Sequence, residues 1–262
     1  MKTEKLDLSK FTSIGIGGER EIFIIESKNE ISDFKDFFLL GGGNNILFSP
    51  EFQKPVLKLG ENFKFIKTEN NFLRIGASAT NREIFQFAKK NNISGFEFLK
   101  YLPSSLGGLV KMNAGMKEFD TFQNLNRVRT EKGWISKSEI EFGYRFAKIS
   151  GVIFEAEFEI KNGFSENLVQ TFKNMRKNQP KEKSAGSTFK NPSGNFAGKL
   201  IEDVGLKGFK IGEMAFSPLH ANFLINFGGG NFFDSIRLIE LAEKRVFEKF
   251  RIRLQREIVV VN

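Results

Sequence analysis

Three stretches of the chain hold residue types at spacings that can do chemistry. In the first, Leu39-Leu40 runs into Gly41-Gly42-Gly43-Asn44-Asn45. Glycine takes positive φ freely, so successive N–H groups can turn toward one point and hold a pyrophosphate without basic side chains; a plain tight turn would look the same. The second extends from Leu102-Pro103-Ser104-Ser105-Leu106-Gly107-Gly108 to Met112-Asn113-Ala114-Gly115. Small residues placed where bulk would clash suit close backbone approach to a flat or phosphorylated ligand, with Asn113 able to hydrogen-bond it. A buried crossing of two backbone segments needs the same residues. The third is Gly186-Ser187-Thr188-Phe189-Lys190-Asn191-Pro192. Its Ser187 hydroxyl is either a reacting group or an ordinary turn or cap serine. Separately, Arg145 carries a guanidinium that stays protonated and can bind a planar carboxylate through two parallel hydrogen bonds, or sits on the surface.

Other chemistries are excluded. The chain has no cysteine and one histidine, His220, which removes disulfides, thiol catalysis, thiolate metal sites and multi-histidine metal sites. No metal is expected, although a carboxylate-only Mg²⁺ or Ca²⁺ site stays open. Ser187, His220 and a carboxylate contain the residue types of a hydrolase triad, but no G-x-S-x-G elbow surrounds the serine, and that reading is rejected. The glycine runs do not form the G-x-G-x-x-G fingerprint in a βαβ frame, so a dinucleotide in a Rossmann domain is disfavoured.

The elements that must position these residues alternate between strand and helix, and the class expected is α+β. Glu21 to Glu26 reads as an apolar strand, and Ile46-Leu47-Phe48 as a second. Thr80 and Glu83 form a capping-box pair that should start a helix ending near Asn91-Asn92. From Val152 to Ile160 apolar residues alternate with Glu155, Glu157 and Glu159, predicting a strand with one face on a core and the other toward water or basic partners. Ser165 can cap a helix carrying Leu168, Phe172 and Met175. A final helix is expected from Asp234 to about Phe250, and Ile258 to Val261 closes the chain as a strand. No repeat or low-complexity segment is present.

At 262 residues, 40% hydrophobic and 27% charged, the composition is that of a globular protein with room for two or three packed subdomains. No stretch reaches the roughly 20 consecutive apolar residues of a membrane-spanning helix, and Met1-Lys2-Thr3-Glu4-Lys5 lacks the apolar core of a secretory leader. A cytoplasmic protein is the expectation. The net charge of +9 suits nucleic acid, an acidic membrane surface or a highly anionic small substrate, but the lysines are dispersed among glutamates as on any solvated surface. With 32 Phe against 2 Tyr and 1 Trp, the aromatics look like core filling and not a base-stacking platform.

Taken in order, these motifs make the chain resemble the UDP-N-acetylenolpyruvoylglucosamine reductase (MurB) family, in its shorter subclass. The match runs from Thr12-Ser13 to Glu257 through Gly17-Gly18, Gly41 to Asn45, Gly95 to Gly115, Phe142-Gly143-Tyr144-Arg145, Ala185 to Pro192, Leu206-Lys207-Gly208, His220 to Asn226 and Leu254-Gln255-Arg256-Glu257. The resemblance implies an FAD-binding fold of the PCMH/vanillyl-alcohol-oxidase type. Two FAD-binding subdomains (1–54 and 55–162) and a C-terminal substrate-binding domain (163–262) are expected, the last strand returning toward the FAD site.

It further implies non-covalent FAD, NADPH as hydride donor, a nucleotide-sugar substrate, and a monomer that neither binds nucleic acid nor enters a membrane. By the same resemblance the cofactor-binding residues are Gly41, Gly42, Gly43, Asn44, Asn45, Ser104, Ser105, Gly107, Gly108, Asn113, Ala114 and Gly115. Arg145, Ser187 and Glu257 correspond to the catalytic residues. Arg145 would hold the substrate carboxylate, Ser187 would protonate the carbanion, and Glu257, protonated or water-bridged, would stabilise the enol. Tyr144, Lys190, Asn191 and His220 are the candidates for substrate binding. The chain departs from the family pattern at Asn44, where serine is usual, at Ser104-Ser105 in place of Gly-Thr, and at Ala147, where a serine often stands. The alternatives are another PCMH-type FAD oxidoreductase and a basic nucleic-acid-binding protein.

Overall fold

The computed structural model describes residues 2–262, which form two units. The first comprises Glu21–Gly42 and Lys54–Lys177, with the first few residues of the chain; the second comprises Lys5–Arg20, Gly43–Gln53 and Asn178–Asn262. The chain changes unit after Lys177. The reason is the helix Glu166–Met175, capped by Ser165 as expected, whose Val169 and Phe172 belong to the first unit's core.

The first unit carries two larger sheets and two two-stranded hairpins. In the smaller, Glu19–Ile25 and Phe38–Leu39 each pair in parallel with Val56–Leu59, so these apolar segments are covered on both faces. In the larger, five antiparallel strands run in the order Gly133–Ser136, Leu125–Thr130, Glu155–Glu159, Phe72–Gly76, Ile66–Glu69. One face buries Leu73, Ile75, Val128, Ala156 and Phe158 against the helix Asn81–Lys90, which starts at the Thr80/Glu83 capping box.

The other face of the large sheet is not open to water at its centre. Glu155 and Glu157 are 4% and 3% exposed. Arg74 and Arg129 pair with Glu155, Arg127 pairs with Glu157, and all three guanidiniums lie over the Trp134 ring at 5.6, 5.7 and 4.5 Å. The alternating glutamates thus meet basic partners. Trp134 covers the ion pairs, keeping their Coulomb attraction in a lower dielectric.

In the second unit, Lys183–Ser187, Phe223–Asn226, Met214–Phe216 and Lys210–Ile211 form a four-stranded antiparallel sheet in that order. The helix Phe232–Phe250 packs Leu238, Ile239, Ala242 and Val246 into its core. This helix begins two residues earlier than expected because Asn231, not a residue near Asp234, caps it. Val259–Val261 pairs in parallel with Ile46–Phe48, so the chain ends beside the segment that follows its first glycine run.

Candidate active site

In the first unit the two small-residue loops meet. A Cβ added at Gly41 would stand 3.1 Å from Ser105 Oγ, one at Gly108 2.9 Å from Ser104 Oγ, and one at Gly107 3.4 Å from Ala77 Cβ. Gly107 and Leu106 donate their N–H groups to the carbonyls of Ala77 and Ala79, which pins the start of the helix Leu106–Lys111. This leaves a wall made of backbone and hydroxyls, with no bulky side chain standing on it.

Beside this wall lies Asn113, buried and at φ +40°. Its side-chain amide donates to Asp120 and to the Gly143 carbonyl, and its Oδ1 accepts from Phe122 N–H. What Asn113 can offer a ligand is therefore mainly backbone. Gly143 opens a hairpin, Phe142–Gly143 paired with Phe146–Ala147, whose turn is Tyr144-Arg145. Arg145 stands at φ +60°, and its guanidinium donates to the carbonyls of Gly115 (2.6 Å) and Asn113 (3.5 Å) and lies 5.0 Å from the ring centre of Tyr144, itself half exposed. Sequence reasoning passed over a second arginine here. Arg176 caps the C-terminus of Glu166–Met175, and its pKa is brought down to about 10, first by burial and then by the charge of Arg145.

In the second unit, Ser187 ends the strand Lys183–Ser187 just beyond a register shift against Phe223–Asn226. Gly186 sits at φ +81° in that irregularity, where a Cβ would have open space around it, so glycine is required there by backbone conformation and not by room. The bulge re-aims the partly exposed Ser187. The two residues after it are held rigidly. Asn222 accepts from Phe189 N–H (3.0 Å) and donates to Phe189 C=O (2.7 Å), while its own carbonyl accepts from Thr188 N–H. The Thr188 carbonyl accepts from the N–H groups of Glu257 and Ile258, and Lys190 N–H donates to Gln255. Glu257, which lies two residues before the final strand and not within it, is thus fastened directly to the Ser187 segment. Arg256 anchors the same segment through a two-pronged pair with Glu243.

Asn222 was not among the expected site residues, although it falls in the His220-to-Asn226 motif of the resemblance. Because it is 3% exposed and satisfies both backbone groups of Phe189, Asn222→Ala is expected to cost about 3 kcal/mol, the sum for two buried groups left unpaired. Urea unfolding measures this, and a loss under about 1 kcal/mol would show that water replaces the amide.

The remaining expected residues of this unit fall as follows. Asn44 accepts from Ser13 Oγ at 2.6 Å, and Asn45 donates to the Glu257 carbonyl at 2.9 Å. A Cβ at Gly43 would meet the Phe11 ring at 2.8 Å. Lys190 is partly exposed, and Asn191 accepts from Ala197 N–H at the start of the helix Ala197–Asp203. His220 Nδ1 accepts from Asn222 N–H at 3.3 Å, so the neutral ring carries its proton on Nε2.

Burial first, and Lys207 less, holds the His220 pKa below its ordinary 6.5. The neutral form is therefore the one that folding favours. Its contribution to stability is complete above about pH 6.5 and is lost as pH falls toward the depressed folded value. Comparing urea unfolding at about pH 7.5 and about pH 5, His220→Gln is expected to lose less stability than the wild type. Parallel losses would disprove the linkage.

Comparisons with known proteins were decisive. The family model for the UDP-N-acetylenolpyruvoylglucosamine reductase C-terminal domain matches residues 179–261. The chain is 44% identical over 261 residues to the UDP-N-acetylenolpyruvoylglucosamine reductase of Campylobacter jejuni, covering 98% of this chain and 99% of that protein. It is 43% identical to that of Helicobacter hepaticus, with both chains covered in full. The chain belongs to the UDP-N-acetylenolpyruvoylglucosamine reductase (MurB) family. The crystal structure of the MurB of Thermus caldophilus superposes on it with a TM-score of 0.87 at 30% identity, covering all of both chains. The chain is accordingly an oxidoreductase of peptidoglycan precursor synthesis with a flavin-binding fold. A Cβ at Gly41 or Gly108 would crowd a serine hydroxyl, so these glycines are required where the two loops pack against each other.

Proposed function

We propose that the chain reduces UDP-N-acetylglucosamine enolpyruvate to UDP-N-acetylmuramate, using non-covalently bound FAD and NADPH. The observation that carries the reading is the way the second unit presents Ser187: re-aimed by the Gly186 bulge and fastened, one residue on, to the backbone of Glu257. Gly41, Gly42, Gly43, Asn44, Asn45, Ser104, Ser105, Gly107, Gly108, Ala114 and Gly115 are the residues that would hold the cofactor. When bound, FAD would supply the hydride, taken from NADPH, for the terminal carbon of the enolpyruvyl double bond.

Negative charge then grows beside the substrate carboxylate, producing an enolate-like dianion. Arg145 binds that carboxylate and lowers the energy of the dianion more than that of the starting ether, which is what accelerates the step. Ser187 Oγ donates its proton to the adjacent carbon, completing addition of one hydride and one proton across the double bond. Glu257, protonated or joined through water, stabilises the enol. Tyr144, Lys190, Asn191 and His220 bind the diphosphate and sugar, and the net positive charge of the chain raises the local concentration of so anionic a substrate.

The purified protein should show a flavin spectrum or take up FAD. Once reduced anaerobically by NADPH, it should be reoxidised by UDP-N-acetylglucosamine enolpyruvate. Reduction by NADPH without reoxidation would mean another oxidisable partner. Colourless protein that cannot take up FAD would end the reading altogether.

A further inference from the structure

Two residues of the first unit hold left-handed backbone without being glycine and are bonded to each other: Asn113 at φ +40° and Arg145 at φ +60°. Arginine at such φ is disfavoured, and it persists only where surrounding contacts impose it. The hydrogen bonds that tie the two together come from the loop that Asn113 opens. The Arg145 guanidinium donates to the carbonyls of Asn113 and Gly115; Asn113 Nδ2 donates to the carbonyl of Gly143 (3.1 Å), two residues before the arginine, and to Asp120 (3.2 Å). Asn113 Oδ1 accepts from Phe122 N–H (3.1 Å), and the Phe122 ring lies 4.5 Å from that of Phe142, at the base of the same hairpin. The loop is itself closed by Thr121, whose N–H and hydroxyl both donate to the Ala114 carbonyl. Asn113 therefore grips the arginine loop at its backbone, through Gly143, and at its head, through its own carbonyl.

We infer that Asn113 is a positioning residue for Arg145: its buried side chain fixes the Phe142–Ala147 hairpin so that the guanidinium stands ready for the substrate carboxylate. This rests on the reading of Arg145 given above. It assigns to the Asn113 side chain a task distinct from touching the cofactor. Glycine at 113 keeps the left-handed backbone at little cost and removes only the amide, which makes it the discriminating substitution.

The test uses FAD-loaded wild type, Asn113→Gly, Arg145→Ala and the double variant. Three quantities are measured: flavin reduction by NADPH, reoxidation by the enolpyruvyl substrate, and amide hydrogen exchange of residues 142–147. Asn113→Gly is expected to slow reoxidation by about 100-fold, the scale of a misplaced catalytic group, while changing reduction by less than about 3-fold. Exchange at 143–146 should rise. In the Arg145→Ala background the Asn113 substitution should add nothing, because a group that acts through Arg145 has no effect once Arg145 is gone. Additive losses, or wild-type reoxidation in Asn113→Gly, would overturn the inference. If Arg145→Ala alone reoxidises normally, the reading of Arg145 fails. Hairpin exchange then decides the positioning claim by itself, and unchanged exchange in Asn113→Gly overturns it. Should Asn113→Gly not fold, Asn113→Ser serves, since it stays neutral beside Asp120 and is too short to donate to Gly143.

Discussion

Ser187→Ala is expected to leave reduction of the bound flavin by NADPH intact and to slow reoxidation by the enolpyruvyl substrate by about 10³-fold, within the range supplied by a positioned proton donor. The substitution removes one oxygen from a partly exposed side chain. The backbone on either side is held by other groups: Gly186 keeps its left-handed conformation, Thr188 stays bonded to Asn222, Leu224 and Glu257, and Phe189 to Asn222. The variant should therefore fold and carry flavin like the wild type, so a loss confined to reoxidation reports on the proton. Stopped-flow measurement of the two half-reactions separates them. Reoxidation within about 3-fold of wild type would place the proton donor elsewhere.

Arg145→Met should lower kcat/KM for the substrate by about 10² to 10³-fold, the scale of one lost electrostatic contact to a developing charge. A guanidinium and a carboxylate match as two parallel forks, and lysine offers a single point charge, so Arg145→Lys is expected to recover less than about a tenth of the activity. The structure adds a reason for that poor rescue. The guanidinium reaches the carbonyls of Gly115 and Asn113 from a left-handed backbone, and an ammonium cannot serve both and a carboxylate with the same geometry. Removing the charge also relieves Arg176, so its depressed pKa should rise in the methionine variant. Unchanged kcat/KM in Arg145→Met would exclude the arginine from the reaction.

Much of the local structure was legible in the chain because its causes are local. The capping box at Thr80 and Glu83 spans three residues, as does the Ser165 cap, and both helices start where these pairs predict. The apolar strands around Ile22 and Ile46 form because their side chains have no better place than a sheet interior. The family was legible for a different reason: motifs that are weak singly become specific by their order and spacing, and 44% identity to a reductase over nearly the whole chain agrees with it.

The surroundings of the site residues were not legible. The alternation at Glu155 and Glu157 left water and basic partners both open, and the fold chose the second: three arginines from neighbouring strands and one tryptophan bury them. That Asn44 accepts from Ser13, that Asn45 donates to the Glu257 carbonyl and that Asn191 accepts at the start of a helix could not be read from the chain either. A pattern one residue wide cannot tell a polar group that awaits a ligand from one satisfied by a distant backbone.

The sequence by itself determined which residues are available for the proposed chemistry: Arg145, Ser187, Glu257 and the glycine-serine loops, together with the absence of any thiol and the presence of a single imidazole. It also determined the conformational permissions, such as the glycine that Ser187 needs before it. Only the tertiary structure decided what holds them. Asn222 reaches Phe189 across 33 residues, Asn45 reaches Glu257 across 212, and segments 5–20 and 43–53 leave their sequence neighbours to join residues 178–262. Such bonds form after the chain has closed loops of that length, stabilised by burial of a whole core. A buried amide is satisfied by whichever backbone the fold delivers to it, and that identity is a property of the packed molecule, not of the residue.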